Sequence, residues 1–506
     1  MLFRRTVFLI RLNVILFSIY YIIHEIFNKR FLILVNIFIL SINFLIFIPN
    51  IIILLIGWDG LGITSFLLVI YYYNISSLRS GLITMFINRL GDVFLLLRIR
   101  IILNSGNWYY VLDNNKFVFF LSLLLLICRC TKSAQFPFRC WLPAAIAAPT
   151  PVRALVHSST LVTAGIFLVI RFYDFIFLYF ILKFYLIVIG CLTILIAGVC
   201  AIIECDIKKI IALSTLSQLG VMIISVGIGY PMLAYFHLII HALFKALLFL
   251  CAGTLIHLFN HGQDLRYLGR IINQLPLSLR CIIISNLSLC GFPFIRGFFS
   301  KDLLIEYRLN SISIFFLYFM YIIGALLTCL YSIRFLLYCS LISNHYIRIN
   351  SLLETNKFNL IPIVILSFFS IIGGGVINWF IFPFKECFIS FFIKNFLFIL
   401  LVFFFFLYIN FRKLFIIVWK KRNFFIFIFN NIIFLNYISG QIIIYNIFKF
   451  TNLRLVILDQ GWYELLGPKG FYNYFSSLSI KLFNFQLKFI IRNFLFFIFI
   501  FIIFIY

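Results

Sequence analysis

The chain has 506 residues, 64% of them hydrophobic and 11% charged, with a mean hydropathy of +1.16; soluble domains carry about 25% charged residues, so a soluble globular protein is excluded. The formal net charge of +27 does not indicate nucleic acid. The basic residues sit at segment ends, as in Lys29-Arg30, Lys208-Lys209, Arg412-Lys413 and Lys420-Lys421-Arg422, where they orient helices and meet anionic phospholipid headgroups.

Apolar runs of about 20 residues recur from end to end without alternation, which predicts an all-α, polytopic transmembrane helical bundle of about fourteen spans and not a β-barrel. Residues 1–30 run into further membrane segments with no polar domain behind them, so no cleavable targeting peptide is expected. The bias to Phe, Ile, Tyr and Asn over Ala and Gly is that of an AT-rich genome and favours an organelle-encoded subunit. Among the 12 cysteines, Cys128, Cys130, Cys140, Cys191 and Cys200 form no C-x-x-C ladder and have no cluster of histidines nearby, so they read as small buried hydrophobes and no metal site is expected.

In chain order, helices are predicted over 7–26 and 31–47, then over 51–73, which contains Gly57-Trp58-Asp59-Gly60-Leu61-Gly62. Apolar residues flank Asp59 on both sides, so it reads as a buried functional carboxylate; the competing reading sets it near a helix start after Pro49-Asn50, where a carboxylate suits the dipole. The span 81–99 carries Asn88-Arg89-Leu90-Gly91-Asp92. Asp92 is either functional or the i, i+3 partner of Arg89. Between the apolar runs 117–127 and 161–170 lies Cys130 to Gly165, with Lys132, four prolines and His157. A charge at bilayer depth costs about 2.5 to 3.5 kcal/mol, and proline removes a donor that lipid cannot replace. The stretch therefore predicts a broken helix that presents Lys132 and His157 to a polar interior.

Spans 175–203 and 210–229 follow, joined by a mixed-charge turn of Glu204, Asp206, Lys208 and Lys209 expected to be solvated. On 233–259, His237, His241 and Lys245 recur at i, i+4 and i+8; at about 100° per residue they drift only about 80° and share one face. A lone histidine there would read as a satisfied core residue, whereas an aligned row in a membrane helix has the form of a proton relay. The span 277–289 is short, and Gly291, Pro293 and Gly297 interrupt the chain just before Lys301. These two broken helices, in halves 51–203 and 210–335, point to an inverted-repeat transporter with a midplane site. Beyond Tyr338 the predicted spans 360–380 and 389–410 are apolar except for Lys394, which snorkels. Residues 411–450 suit lipid-facing or interfacial helices, 458–470 is polar enough for a surface, and 482–506 closes the chain as a span.

The carboxylates, lysines and histidines along the expected midplane are Asp59, Asp92, Lys132, His157, His237, His241, Lys245 and Lys301. The charge state of a buried lysine depends on whether a carboxylate lies beside it, so moving the partner switches it. That property is what proton translocation requires. No nucleotide-binding loop, nucleophile arrangement or metal ladder is present, so no cofactor is expected in this chain and redox chemistry belongs to partners.

The motifs G-W-D-G-L-G, N-R-L-G-D, K-S-A-Q (132–135), W-L-P, P-T-P-V-R-A-L-V-H-S-S-T (149–160), D-I-K-K-I-I-A-L-S-T-L-S-Q-L-G, H-A-L-F-K-A (241–246) and G-F-F-S-K-D-L-L-I-E (297–306) resemble the chain 5 family of respiratory complex I, the proton-pumping NADH:ubiquinone oxidoreductase. The resemblance is close over 51–306 and looser elsewhere; K-S-A-Q with H-S-S-T favours chain 5 over the sister chains 4 and 2. It implies an antiporter-like subunit of the mitochondrial inner membrane, at the distal end of the membrane arm beside chain 4 and other membrane-arm subunits. In that family a carboxylate–lysine pair corresponds to Asp59 with Lys132, the central lysine to Lys245 and the exit-side lysine to Lys301. His157, His237 and His241 match connecting histidines, and Asp92 a carboxylate near the first half-channel. The implied organisation is N-terminal helices (1–50), a first repeat (51–209), a second repeat (210–340), further helices (341–410), a lateral helix region (411–481) and an anchoring helix (482–506).

Departures from the family pattern stand at three places. Asp59 replaces a usual Glu, shortening reach by about 1.3 to 1.5 Å, so a longer or water-mediated pair with Lys132 is expected. Ala147-Ala148 replaces a usual E-G, and Arg153 a usual small residue. The part before Gly57 is also shorter than usual by a few helices, which are either lost or supplied by another chain. Two other readings stay open: a subunit of an independent multi-subunit Na⁺/H⁺ antiporter, and a structural membrane-arm subunit with an inactive channel.

Overall fold

The computed structural model describes residues 2–22, 25, 27–104, 115–259, 262–269, 271, 274–292, 295–309, 315–340, 356–381, 399, 402, 403, 406 and 443–505. Two units are distinguished, Met1–Leu435 and Asn436–Tyr506.

The first unit contains α1 (Leu2–Tyr21), α2 (Asn28–Phe47), α3 (Ile51–Val69), α4 (Ile75–Asn104), α5 (Asn115–Lys132), α6 (Leu161–Arg171), α7 (Phe180–Ile203), α8 (Ile207–Ile228), α9 (Pro231–Leu258), α10 (Pro276–Cys290), α11 (Arg296–Leu309), α12 (Phe315–Ser340) and α13 (Lys357–Ile381). Lipid cannot satisfy a free amide or carbonyl, so the apolar runs close all their hydrogen bonds within themselves. Their ends carry the expected punctuation. The Asn50 side chain caps α3 by accepting from the Ile52 amide at 3.2 Å, and α9 and α10 begin with proline at the first helical position.

Helix α9 is the centre of the bundle. It packs against α1, α6, α8, α10, α11, α13 and residues 153–160, and a helix apolar on every side has to be enclosed in this way. His237, His241 and Lys245 are therefore surrounded by protein.

Nine of the described helices are long and apolar enough to cross a membrane, against about fourteen spans expected from sequence. Helices α1 and α5 have 20 and 18 residues but carry Arg4, Arg5 and Arg11 in the one and Lys116, Arg129 and Lys132 in the other. The expected span 389–410, with Lys394, and the region 411–442 lie almost wholly outside the described residues.

The turn expected to be solvated is covered at Glu204 and partly open at Asp206, Lys208 and Lys209. Residues 262–265 lie across it, with the Ile207 amide donating to the Gln263 carbonyl at 2.9 Å and the Leu265 amide to the Cys205 carbonyl at 3.0 Å. Glu204 is buried as a result, and that burial pushes its carboxyl above the ordinary range. Lys209 joins it to the more exposed Asp206, with ion pairs of 3.7 and 2.7 Å.

The second unit contains α14 (Ile443–Arg454), a π-helical segment Leu455–Tyr463, a short turn and α15 (Pro468–Ile505). Helix α15 runs for 38 residues, because no glycine or proline follows Gly470 to stop it. The expected boundary between a lateral region ending at 481 and an anchor beginning at 482 thus falls inside one continuous helix.

Candidate functional site

The first break begins where α5 ends, at Lys132. Ala134 adopts a left-handed conformation with φ 53°, and the chain advances through short turns before re-entering a helix at Thr150. The Trp141 indole holds the break by donating to the Thr131 carbonyl at 2.9 Å. Helix α6 lies hard against the end of α5 at Gly165, where a Cβ would stand 2.9 Å from the Ser133 amide nitrogen and 3.0 Å from the Arg129 carbonyl. Only glycine allows that approach.

Residues 153–160 form a π-helical segment, a form often found at functional positions. Its hydroxyls fold back on its own carbonyls: Ser158 donates to Ala154 at 2.6 Å, Ser159 to Leu155 at 2.8 Å and Thr160 to Leu155 at 2.5 Å. His157 is carried by this segment; its side chain lies outside the described residues.

Lys132 is fully buried. Its ammonium donates to the Trp58 carbonyl and stands 3.7 Å from the Trp58 ring centre, close enough for a cation–π contact. Asp59, the next residue on α3, does not form an ion pair with Lys132. Its carboxylate faces Arg89 at 3.9 Å, and the same guanidinium donates to Asp92 at 3.2 Å. Arg89 therefore takes the i, i+3 pairing and stands between the two carboxylates. Of these, Asp92 has the larger electrostatic interaction with Lys132, ahead of Asp59. The short side chain at 59 and the competing guanidinium together account for the open Asp59–Lys132 pair.

The second break carries Lys301. Helix α10 ends on Gly291, whose φ of 84° is left-handed and turns the chain away, leaving carbonyls of the last turn without intrahelical donors. Lys301, buried, fills that gap: its ammonium lies 3.4 Å from the Cys290 carbonyl and 3.5 Å from that of Leu289, and donates to the Thr328 hydroxyl at 2.8 Å. The broken helix thus supplies the oxygens that replace water around the charge.

The row on α9 is fully buried. His237 has Nε2 3.3 Å from Gln218 Oε1 and Nδ1 2.8 Å from the Ser300 hydroxyl. With Nε2–H facing an amide oxygen, Nδ1 of the neutral ring accepts from Ser300. That hydroxyl also lies 3.2 Å from the Gly297 carbonyl, so its single proton has two acceptors to choose between. Ser300 precedes Lys301, and the second break is in this way tied to the row. The His241 ring centre is 6.4 Å from that of His237, and neither of its nitrogens has a hydrogen-bond partner among the described residues. Lys245 closes the row, donating to the Ser214 hydroxyl of α8 at 2.5 Å.

The geometry brings Lys301, His237, His241 and Lys245 into one buried series, and Asp59, Asp92 and Lys132 into a separate group around Arg89 and Trp58. Residues 49–328 match the family model described as NADH:quinone oxidoreductase/Mrp antiporter, TM, and residues 331–506 the one described as NADH dehydrogenase subunit 5 C-terminus. NADH-ubiquinone oxidoreductase chain 5 of Lumbricus terrestris is 43% identical over 495 residues, covering 95% of this chain and 84% of that one.

The chain belongs to the NADH-ubiquinone oxidoreductase chain 5 family.

The chain 5 protein of Locusta migratoria is 42% identical over 459 residues, covering 89% of this chain and 80% of its own length. Among solved structures, the Mrp complex from Dietzia sp. DQ12-45-1b superposes with a TM-score of 0.71 at 23% identity, over 81% of this chain and 48% of that one. The chain spans about half the length of that neighbour, and the likeness is one of fold. Within this chain 5 fold, sequence reasoning missed Trp58, Ser214, Gln218, Ser300 and Thr328 as partners of the ionisable groups, and offered Arg89 only for Asp92 and not for Asp59. Ser214 and Gln218 had a signal, because they stand four apart on α8 and so share a face, the one turned to the α9 row. Thr328 had none.

Proposed function

We propose that this chain is the antiporter-like, proton-translocating membrane subunit of respiratory complex I, in the mitochondrial inner membrane, coupling NADH:ubiquinone electron transfer to proton movement. The observation that carries the reading is the enclosed series Ser300, His237, His241, Lys245 and Ser214, in which neighbours hydrogen-bond or follow one helix face, with Lys301 next to Ser300 in the chain. His241 supports it further. Two buried, unpartnered ring nitrogens cost about 1 to 3 kcal/mol each, and water would satisfy them while bridging the histidines to Lys245.

In this reading Asp59, Asp92 and Lys132 govern the first half and Lys245 the centre. His157 lies between them in sequence, and Lys301 stands on the exit side. The chain itself holds no cofactor; electrons pass through partner subunits. Chain 4, the other membrane-arm subunits and phospholipids are its neighbours. Lys245→Met in the assembled complex tests the proposal by protons pumped per NADH. A fall in that ratio supports it, and unchanged stoichiometry and turnover would assign the chain a structural role.

A further inference from the structure

Tyr331 stands on α12, buried with 2% of the residue exposed, outside the series described above. Its phenol oxygen is 3.2 Å from the Ser217 hydroxyl of α8, 114 positions away in the chain. Ser217 directs its single proton to the Ser214 carbonyl at 2.9 Å, so the phenol is the donor and the serine oxygen the acceptor. Ser214 is the residue whose hydroxyl takes the Lys245 ammonium, and that hydroxyl in turn donates to the Ile211 carbonyl at 2.8 Å. Gln218, next to Ser217 in the chain, faces His237 at 3.3 Å. Ser214, Ser217 and Gln218 are all buried and, at spacings of three and four, occupy one face of α8.

The face of α12 that carries Tyr331 also meets the second break. Thr328, three residues earlier, accepts from Lys301 at 2.8 Å and donates to the Ala325 carbonyl at 2.7 Å. One helix thus carries both the hydroxyl that holds Lys301 and the phenol that bears on the partners of Lys245 and His237. The phenol contact is long for an O–H···O bond, which centres on about 2.7 to 2.8 Å, whereas Ser214, Ser217 and Thr328 meet their backbone carbonyls at 2.7 to 2.9 Å. A small displacement of α12 therefore opens or closes it.

We propose that Tyr331 is a positioning residue for the α9 row. Through Ser217 it fixes the face of α8 that presents Ser214 to Lys245 and Gln218 to His237, and through α12 it ties that face to the Thr328 hydroxyl on Lys301. A change in the hold on Lys301 that moves α12 is in this way felt at Lys245. The inference rests on the proton-translocating reading given above.

The test is Tyr331→Phe in the assembled complex, beside Lys245→Met and Ser214→Ala, with NADH-driven proton pumping and turnover followed against pH. Loss of the single hydroxyl should reduce pumping by about two- to tenfold, the size of one neutral hydrogen bond. It should also move the pH profile in the direction in which Ser214→Ala moves it, by less. Ser217→Ala should reproduce the shift, and the two substitutions together should add nothing to either alone, since both remove the same contact. A profile unchanged or moved the other way in Tyr331→Phe, while Lys245→Met lowers protons pumped per NADH, would overturn the inference and leave the reading of the chain intact. So would additive effects of Tyr331→Phe and Ser217→Ala, which would make the phenol a structural group. Unchanged pumping in Lys245→Met would overturn both. If Tyr331→Phe does not assemble, the pH profile of Ser217→Ala decides by the same comparison.

Discussion

The two broken helices each deliver a lysine to the interior, and they stabilise it by different means. Lys132 sits within reach of full countercharges, with Asp92 and Asp59 gathered by Arg89 and a Trp58 carbonyl and ring on its ammonium. Lys301 and Lys245 rest on neutral oxygens alone among the described residues: a threonine hydroxyl and two end-of-helix carbonyls for the one, a serine hydroxyl for the other. A countercharge holds a proton by long-range attraction and is felt across several ångströms, whereas a hydroxyl acts only at contact distance and can donate as readily as accept. The first region is thus sensitive to charge, and the second to the placement of single hydrogen bonds.

The sharpest way to break this contrast is at Asp92. Asp92→Asn takes from the half-exposed Arg89 its closer carboxylate and is expected to cost about 1.5 to 3 kcal/mol, as loss of a hydrogen bond to a charged group does. Asp59→Asn, at the longer and more open contact with Arg89, should cost about 0 to 1 kcal/mol. Thermal unfolding midpoints and NADH-driven proton pumping of the assembled complex would rank the two; a larger effect at Asp59 would sink the assignment of Asp92 as the principal partner.

In the second region Ser214→Ala removes the only hydrogen-bond acceptor described for Lys245 and should cost about 1 to 3 kcal/mol, with a shift in the pH dependence of pumping. Thr328→Val takes one of three oxygens from Lys301 and should cost about 1 kcal/mol. Equal effects at these two hydroxyls would erase the distinction between a singly and a triply held ammonium.

A small effect is also expected outside both regions, at Asp264 and Arg266. Burial alone would raise the Asp264 carboxyl, but the hydrogen bonds and charge of Arg266 outweigh it and hold the carboxyl below its ordinary range. A depressed carboxylate contributes stability above its unfolded value of about 3.9 and loses it as pH falls through the lower folded value. Arg266→Gln should therefore lower the unfolding midpoint slightly near neutrality, by the ~0.2 to 1 kcal/mol typical of exposed pairs. The difference from the unaltered chain should vanish in acid; a difference that persisted there would deny the ion pair its part.

Much of this arrangement was legible from spacing. The apolar runs gave the helices, the i, i+4, i+8 row gave the shared face of α9, and the glycines and prolines near Lys132 and Lys301 gave the breaks. The contacts that distinguish the two regions were not legible. Ser214 meets Lys245 across 31 positions, Ser300 meets His237 across 63 and Lys132 meets Trp58 across 74, and a serine or threonine on an apolar helix looks the same whether it serves its own backbone or a distant lysine. The contact of Arg89 with Asp59 was missed for a related reason. Sequence offers Arg89 as a partner for Asp92 by local spacing, but not as a competitor for a carboxylate on another helix.

The π-helical turns of 153–160 have a bearing on phase. Bonding from i to i+5 seats one more residue in a turn than i to i+4 does, so tightening a single turn there would rotate everything that follows by about 100° and advance it by about 1.5 Å. The hydroxyls of Ser158, Ser159 and Thr160 already sit on the carbonyls that such a slip would exchange. Helix α6 and Gly165, which touch the end of α5 beside Lys132, are therefore geared to the bonding pattern of the segment that carries His157, and one residue's change of register there is converted into a change of aspect at the lysine.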